Sequence, residues 1–336
     1  MNKQNLVIIN NEKVFSNNGN FFCENLDLKV VPEGLNNFFN VRFIVRKSNK
    51  KGDQKINLKN IDIAPNIFSF ILFVIKSLKN NSKYLIISIT PYTFLAYIIL
   101  FIFNKKVFLY LWSDGHEEWK YLLGKWSVWI FRIMYVICTF RSEIIICNKR
   151  LSKKKSHLIS ISRLDESWFL NRTKPLTESA IFLYVGRLSK EKGIFNFIDM
   201  LNATSPKTQL LIAGNPKNFN FENSKVKLLG YIPDAQSLIK AYDKCNITIL
   251  PSFTEGYPYV VDESLARVRP VIIFEEISYV INNKKGIFVC KRNTESLEKT
   301  TNYILKNYDK IQRDIRENKL PTKKSMLKQI SDIIRV

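Results

Sequence analysis

The stretch ITILPSFTEGYPYVVDESLA, residues Ile247–Ala266, contains the signals that decide the fold. Its apolar start, Ile247–Leu250, is typical of a buried parallel strand, and Pro251 ends that strand. Loop-forming residues follow up to Tyr257, and Pro258 suits the first turn of a helix, where its missing N–H costs nothing. The stretch therefore predicts a strand, a loop and a helix in succession.

Two carboxylates bracket the start of the predicted helix. Glu255 lies in the loop, and Glu263, eight positions later, lies in the second helical turn. A helix N-terminus offers unpaired N–H groups and the positive end of a dipole, which favour a phosphate, while carboxylates suit hydroxyl groups. The combination favours a phosphorylated sugar as ligand. The alternative is that Glu255 only solvates a loop and that Glu263 binds nothing.

Length and composition favour a globular protein of two domains. The chain has 336 residues, too many for one ordinary core, and 46% of them are hydrophobic. Five scattered cysteines without C-x-x-C spacing are typical of reduced core residues in a cytosolic protein. There are only two histidines, far apart in sequence, and no D-x-D pair, so we expect neither a metal site nor a resident cofactor.

The charge is strongly basic and unevenly distributed. The net charge is +23, and residues 1–174 carry 27 Lys and Arg against 12 Asp and Glu. Such a surface can bind nucleic acid, an anionic membrane or phosphorylated substrates, or it can be a solvated face with no partner. Residues 119–140 add aromatic side chains to the basic ones, a pattern of helices at membrane interfaces and also of helices packed on their own domain.

The segment YLIISITPYTFLAYIILFIF, Tyr84–Phe103, is long and apolar enough to span a membrane. Thr90-Pro91 interrupts it, however, and its first half is β-branched at strand length. We therefore predict a buried strand, a turn and a helix from about Tyr92, with a membrane span as the alternative.

The first half of the chain alternates predicted strands and helices, with polar residues at two places of interest. Gly19 and Asn20 lie in a Gly/Asn-rich turn that lets the backbone approach a ligand, although plain surface turns are more common. Asp114 and His116 directly follow the predicted strand Val107–Trp112. Ligand sites of parallel sheets lie beyond the carboxyl ends of strands, which makes both residues candidates for binding.

A second alternating series follows a polar segment. We predict a first Rossmann-like domain at residues 1–170, a linker at 171–179, a second Rossmann-like domain at 180–315, and a C-terminal helix at 316–336 that packs back on the first domain. The predicted fold class is α/β, with two doubly wound domains that face each other across a cleft.

The second series begins with the strand Ala180–Val185 and the segment Gly186-Arg-Leu-Ser-Lys-Glu-Lys192-Gly. Gly186 allows a tight turn off the strand. Arg187 and Lys192 then flank the entry into the next helix, where cations oppose the helix dipole. Their guanidinium and ammonium groups suit a diphosphate, so the pattern indicates an anion site.

Four segments together resemble the retaining glycosyltransferases of family GT4, which have the GT-B fold. They are GRLSKEKG, LLIAG at Leu210–Gly214, LLGYIP at Leu228–Pro233, and EGYPYVVDE with its E-x7-E spacing. The resemblance is strong over Ala180–Val289 and weak before it, and it points to enzymes of bacterial surface polysaccharides such as O-antigen and capsule.

The resemblance implies roles for individual residues. Arg187 and Lys192 would neutralise the departing diphosphate, Glu255 would meet the donor sugar, and Glu263 would bind the ribose. Arg187, Lys192 and Glu255 are therefore catalytic candidates. His116 is a fourth, because it is the nearest candidate for a histidine that touches the donor sugar in that family. The implied donor site also contains Gly186, Gly256, Tyr257, Pro258 and Tyr259, and Gly19, Asn20 and Asp114 are assigned to the acceptor side.

We therefore expect a metal-independent glycosyltransferase that moves a sugar from a UDP- or GDP-sugar to a glycan or lipid-linked acceptor. We expect it in the cytoplasm, on an anionic inner membrane face, without nucleic acid as partner. Alternatives are another GT-B enzyme that uses nucleotide sugars, such as an epimerase or a phosphorylase with pyridoxal phosphate, and a non-catalytic basic protein that binds nucleic acid or membrane.

Overall fold

A computed structural model describes residues 3–24, 26–79, 81–205, 207–215 and 223–336. The chain divides into two compact units: residues 1–161 with 324–336, and residues 162–323. The segment predicted as a linker, 171–179, lies inside the second unit, and the final helix belongs to the first unit.

The first unit contains nine strands and six helices among the described residues. The strands are β1 (Asn5–Asn17), β2 (Asn20–Cys23), β3 (Asn40–Lys47), β4 (Gln54–Ile56), β5 (Ile61–Ala64), β6 (Ser82–Ile87), β7 (Val107–Leu111), β8 (Glu143–Ile146) and β9 (Ser156–Leu158). The helices are α1 (Leu26–Leu35), α2 (Ile67–Ser77), α3 (Pro91–Ile102), α4 (Gly115–Leu123), α5 (Ser127–Cys138) and, at the end of the chain, α11 (Lys323–Arg335).

The long strand β1 takes part in two kinds of pairing. Its first half lies in a parallel sheet of order β5-β3-β1-β6-β7-β8-β9. Its second half pairs antiparallel with β2, which in turn pairs with β4. Gly19 and Asn20 therefore lie at the turn of a β-hairpin, and not in a direct connection from strand to helix.

The apolar segment Tyr84–Phe103 forms a strand, a turn and a helix, which confirms the prediction. The strand is β6, and Thr90 caps α3: its hydroxyl accepts from the N–H of Thr93, whose side chain accepts from the N–H of Thr90. Pro91 occupies the first turn, where no N–H is required. Among the described residues, no helix is long and apolar enough to cross a membrane.

The second unit contains six strands and five helices among the described residues. The strands are β10 (Ile181–Val185), β11 (Gln209–Ala213), β12 (Val226–Gly230), β13 (Ile247–Leu250), β14 (Val271–Phe274) and β15 (Ile287–Cys290). The helices are α6 (Ile194–Asn202), α7 (Ala235–Asp243), α8 (Tyr259–Ala266), α9 (Thr294–Lys306) and α10 (Tyr308–Arg316).

All six strands of the second unit are parallel, in the order β12-β11-β10-β13-β14-β15. Numbered along the chain this is 3-2-1-4-5-6, the doubly wound order of dinucleotide-binding domains. The strand order reverses between β10 and β13, so two consecutive crossovers leave on opposite faces. Ligands of such sheets bind beyond the carboxyl ends of the strands at this switch point.

Two buried arginines fix a segment near the start of the second unit. Arg267 and Arg269 are fully buried and follow the end of α8. Arg267 forms two hydrogen bonds to Asp243, at 3.0 and 2.9 Å, and donates to the carbonyls of Trp168, Leu170 and Asn171. These hydrogen bonds tie the segment 168–173 to the C-terminal end of α8. The N-terminal end of α8 lies at the switch point of the sheet.

Candidate active site

Two loops meet at the switch point of the second sheet. One follows β10 and contains Gly186, Arg187 and Lys192; the other follows β13 and contains Glu255. Because β10 and β13 are hydrogen-bonded neighbours, their carboxyl ends bring the two loops together. The structure thus joins the two motifs that are 63 positions apart in sequence.

Gly193 permits this close approach. Its φ is +64°, and a Cβ placed there would lie 2.0 Å from the carbonyl oxygen of Pro251. The backbone N–H of Phe253 also donates to the carbonyl of Glu191. Only glycine therefore fits where the first loop ends against the second.

Lys192 and Glu255 form the central contact of the site. Lys192 Nζ lies 2.6 Å from Glu255 Oε1, and the hydroxyl of Ser252 donates to the same oxygen at 2.6 Å. The side chains of Lys192 and Glu255 are 21% and 9% exposed. Both described partners bind one oxygen, so the carboxylate is fixed in orientation.

The backbone of Glu255 is held separately by one phenol. The hydroxyl of Tyr279, in a 3-10 segment after β14, accepts from the N–H of Glu255 at 3.0 Å and donates to its carbonyl at 2.6 Å. Sequence reasoning missed this residue, because the two positions are 24 apart and share no local pattern.

Arg292, which follows β15, supports the start of the same loop. It donates to the carbonyls of Pro251 and Ser252 and to Glu276, and its guanidinium lies over the rings of Phe253 and Phe274 at 4.1 and 4.2 Å. This residue was also missed. Its contacts restrict the loop that carries Glu255 without touching Glu255 itself.

Arg187 differs from Lys192 in that it extends towards solvent. Its side chain is 79% exposed, and Nη2 lies 3.8 Å from Glu191 Oε1. The hydroxyl of Ser189 donates to the carboxylate of Glu191. This hydrogen bond is the main cause of the lowered pKa of Glu191, and the charges of Arg187 and Lys192 lower that pKa further. The guanidinium is therefore available to an anion that enters the switch point.

The helix α8 begins at Tyr259, directly after Pro258. Glu263 is buried at 4% exposure and accepts a hydrogen bond from Tyr242 at 2.9 Å. Burial, and next the charge of Glu263, raise the pKa of Tyr242, so the phenol remains a donor. The assignment of Glu263 to the ribose stays a prediction.

The neighbouring carboxylate, Asp262, has local partners. It contacts Lys284 at 2.5 Å and accepts from the hydroxyl of Tyr257 at 2.6 Å. Tyr257 packs edge-on against Tyr259, and Gly256 between the loop and the helix is exposed. These contacts give the first turn of α8 a fixed shape.

The remaining candidates lie in the first unit. Asp114 caps α4 through the N–H groups of His116 and Glu117, and the His116 ring packs on Phe131 and Tyr135 at 4.7 and 5.3 Å. Gly19 and Asn20 are exposed at the hairpin turn. Asp114 and His116 therefore have structural roles in α4, and their predicted binding roles stay predictions.

Known proteins show similarity to both the second unit and the whole fold. Residues 166–320 match the family described as Glycosyl transferases group 1. An uncharacterized glycosyltransferase of Haemophilus influenzae is 27% identical over 168 residues, which are 46% of this chain and 47% of that protein. The capsular polysaccharide biosynthesis glycosyltransferase CapM of Staphylococcus aureus is 28% identical over 149 residues, 38% of each chain.

A third relative is the N,N'-diacetylbacillosaminyl-diphospho-undecaprenol alpha-1,3-N-acetylgalactosaminyltransferase of Campylobacter jejuni, 20% identical over 150 residues. The match spans 43% of this chain and 40% of that protein, so the chain covers less than half the length of the curated relatives named here.

Solved structures share the fold over nearly their whole length. Anabaena HepE in complex with UDP has a TM-score of 0.70 at 13% identity and covers 99% of this chain and 100% of its own. WaaG, a glycosyltransferase involved in lipopolysaccharide biosynthesis, has a TM-score of 0.66 at 12% identity, with 98% and 99% coverage. The fold class is that of the GT-B glycosyltransferases.

The second unit of the chain is a glycosyl transferases group 1 domain. This confirms the resemblance drawn from the motifs between Ala180 and Val289, and the relatives of this domain include a glycosyltransferase of capsular polysaccharide biosynthesis.

Proposed function

We propose that the protein is a retaining glycosyltransferase that moves a sugar from a UDP- or GDP-sugar to a glycan or lipid-linked glycan acceptor. The observation that carries the proposal is the 2.6 Å contact between Lys192 and Glu255 at the switch point of the second sheet. It places a cation and a carboxylate side by side where such sheets bind nucleotides.

Each group of the pair suits a different part of the donor. Lys192 and the exposed Arg187 supply the positive charge that stabilises a departing diphosphate. Glu255, fixed by Ser252 and Tyr279, accepts hydrogen bonds from sugar hydroxyls. Two cations at the leaving group make a divalent ion unnecessary for charge neutralisation, and the start of α8 adds the positive end of its dipole.

Transfer breaks the bond between the anomeric carbon and the phosphate oxygen, and the nucleoside diphosphate leaves with the electron pair. The acceptor hydroxyl forms the new bond on the same face of the sugar, and its proton goes to the departing phosphate. Arg187 and Lys192 stabilise the charge that develops on that phosphate.

The acceptor is proposed to be lipid-linked because one helix of the first unit presents an apolar outer face. In α5, one side is buried in the unit, and the other exposes Trp129, Ile133, Val136 and Ile137. Trp129 is 68% exposed, and Phe140 just beyond the helix is 72% exposed. Apolar and aromatic side chains beside basic ones are typical of helices that enter a membrane interface.

The membrane proposal is tested by flotation with vesicles that contain anionic lipid. The variant Trp129→Ser with Ile133→Ser should lose most of the bound fraction, while Leu176→Ser, which removes an apolar side chain 75% exposed in the second unit, should not. Equal binding of all three proteins would show that this face of α5 does not enter the lipid.

The reaction is tested by incubation of the protein with labelled UDP- and GDP-sugars, a chelator and a lipid extract that contains polyprenyl-linked glycans. The proposal predicts acceptor-dependent label in the lipid fraction, with retained anomeric configuration, and none with Glu255→Ala. Conversion of the nucleotide sugar without an acceptor would instead indicate an epimerase or a hydrolase. No turnover with any donor would contradict the proposal.

A further inference from the structure

Three neighbouring helices of the first unit leave a broad apolar surface exposed. The inner sides of α2, α3 and α5 share one core on the same face of the sheet, and α3 contacts both of the other helices. Their outer sides, called the three-helix face below, expose large apolar residues. Besides the α5 residues already named, these are Phe68, Leu72 and Ile75 of α2 and Phe101 and Ile102 of α3. Such a continuous exposed patch marks an interaction surface.

Basic side chains lie at one end of the three-helix face. Each of the three helices precedes a strand of the parallel sheet, β6, β7 or β8, so all three run in the same direction. Their C-terminal ends therefore lie together at the amino edge of the sheet. Lys76 and Lys79 lie at the end of α2, Lys105 follows α3, and Arg141 follows α5. An apolar face beside a basic rim is typical of surfaces that bind anionic membranes.

A cavity at this rim contains one of the cations. It has a volume of about 220 Å³, lies between the ends of α3 and α5, and is lined in part by Arg141, Asn104 and Phe101. Arg141 Nη2 donates to Asn104 Oδ1 at 2.8 Å, and the guanidinium lies 5.4 Å from the ring centre of Phe101. Within the part of the chain that the structure describes, no carboxylate lies within ion-pair distance of Arg141. The guanidinium is therefore available to an external anion.

A neighbouring cation offers a direct comparison. Lys106 also lines the cavity, but its Nζ lies 2.7 Å from Glu143 Oε1. The chain thus supplies a carboxylate for Lys106, whereas the described contacts of Arg141 are an amide oxygen and an aromatic ring. This difference identifies Arg141 as the main anion-binding group of the cavity.

A buried hydroxyl group lies beside the same cavity. Tyr97 lines it and is 1% exposed. Its hydroxyl lies near the backbone of Arg141 and the side chain of Ser142, but it has no hydrogen-bond partner among the described residues. Burial raises the pKa of Tyr97, so the hydroxyl keeps its proton. An oxygen atom that filled the cavity, from a ligand or from water bound beside it, would supply an acceptor.

Aromatic side chains next to the cavity residues favour a lipid over a soluble anion. Phe103 directly precedes Asn104, Phe140 directly precedes Arg141, and both phenyl rings are exposed. A soluble phosphate would leave these rings in water. A phospholipid would bring its phosphate to the guanidinium and its acyl chains to the rings.

We propose that the cavity at Arg141 binds the phosphate of an anionic phospholipid while the three-helix face enters the membrane interface. The inference rests on the proposed function for the membrane location, and it adds a headgroup site and its lipid class. Arg141 forms the charge-assisted contact to the phosphate, and Lys105 adds positive charge beside it.

The test measures the affinity of the full chain for vesicles of phosphatidylcholine, with and without phosphatidylglycerol. Arg141→Gln should lower the preference for the anionic vesicles about tenfold, as expected for loss of a charge-assisted contact. The matched change Lys106→Gln removes the same formal charge but should lower the preference less than about threefold, because Glu143 already neutralises that ammonium group. Phe140→Ser should weaken binding to both kinds of vesicle and leave the preference unchanged.

Equal losses from Arg141→Gln and Lys106→Gln would overturn the inference, because they would show diffuse attraction without a headgroup site. Saturable binding of soluble glycerol phosphate that is lost in Arg141→Gln, without an effect of this change on vesicle binding, would also overturn it. Absence of vesicle binding by the unaltered protein would do the same.

A second measurement separates this inference from the transfer reaction. Arg141 lies at the amino edge of its sheet, and substrates of such sheets bind at the carboxyl edge. Arg141→Gln should therefore retain transfer to a short, soluble analogue of the acceptor. Loss of vesicle binding with transfer retained would contradict the headgroup site alone if Lys106→Gln produced the same loss, and would support it if Lys106→Gln did not.

Discussion

Lys192 and Glu255 neutralise each other, with 2.6 Å between Nζ and Oε1. In the proposed reaction, an incoming diphosphate would compete with Glu255 for the ammonium group. A Lys192 that turned to the phosphate would release Glu255 to the sugar hydroxyls. The pair would then link occupation of the phosphate position to the availability of the carboxylate.

This exchange predicts opposite effects of one substitution on two ligands. Glu255→Gln removes the competing charge, so affinity for free UDP or GDP should rise about fivefold, as expected for a partly buried ion pair worth about 1 kcal/mol. Sugar transfer should fall sharply. Titration of the nucleoside diphosphate measures the first effect. The control is Glu317→Gln, because Glu317 forms an ion pair with Lys285 near the end of α10.

If Glu255→Gln weakened the binding of the free nucleoside diphosphate, the result would show that Glu255 and the diphosphate do not compete for Lys192.

Gly193 should tolerate no side chain. Gly193→Ala combines a φ of +64° with a Cβ 2.0 Å from the carbonyl oxygen of Pro251, so it should destabilise the fold by about 2 kcal/mol or more and separate the two loops. Gly230 has a φ of +76° but open space around its Cβ, and Gly230→Ala should cost only about 1 kcal/mol. Urea unfolding measures both, and similar values would disprove the close contact.

Tyr279 should influence the rate through Glu255. Tyr279→Phe keeps the ring but removes both hydrogen bonds to the Glu255 backbone, so kcat should fall roughly tenfold while KM for the donor changes little. The matched change Tyr231→Phe, at a residue 55% exposed, should alter neither value. A rise in KM with unchanged kcat would assign Tyr279 to donor binding instead.

The buried arginines should depend on Asp243. Asp243→Ala leaves the fully buried guanidinium of Arg267 without its carboxylate, which should cost about 3 kcal/mol of unfolding free energy. Asp309→Ala removes a pair with Lys174 in which both side chains are more than half exposed, and it should cost less than about 0.5 kcal/mol. Denaturant titration compares the two, and a small loss from Asp243→Ala would mean that backbone carbonyls alone satisfy Arg267.

The sequence predicted those elements whose signals are local. Ile247–Leu250 is a strand with the predicted limits, because four apolar residues end at a proline. The hairpin between β1 and β2 was not predicted, because its residues Ser16 and Asn17 are polar. Their strand conformation comes from antiparallel pairing with Phe21 and Asn20 of β2, which no local pattern indicates.

In the candidate site, too, the residues with local sequence signals were predicted and those held by long-range contacts were not. The motifs identified Lys192 and Glu255 through their spacing and charge, and the sheet order explains why they meet. The contacts of Tyr279 and Arg292 join positions that are 24 to 41 residues apart. Such contacts arise from the packing of parallel strand ends, so a search for short motifs does not find them.

Calorimetric titration of the purified protein, without added metal, against UDP-, GDP- and ADP-sugars tests the central claim most directly. We predict saturable binding of one nucleotide sugar, with at least tenfold lower affinity in Lys192→Ala, and weaker binding in Glu263→Ala if that carboxylate meets the ribose. Binding of no nucleotide sugar, or binding unaffected by Lys192→Ala, would contradict the assignment of the donor site to the switch point of the second unit.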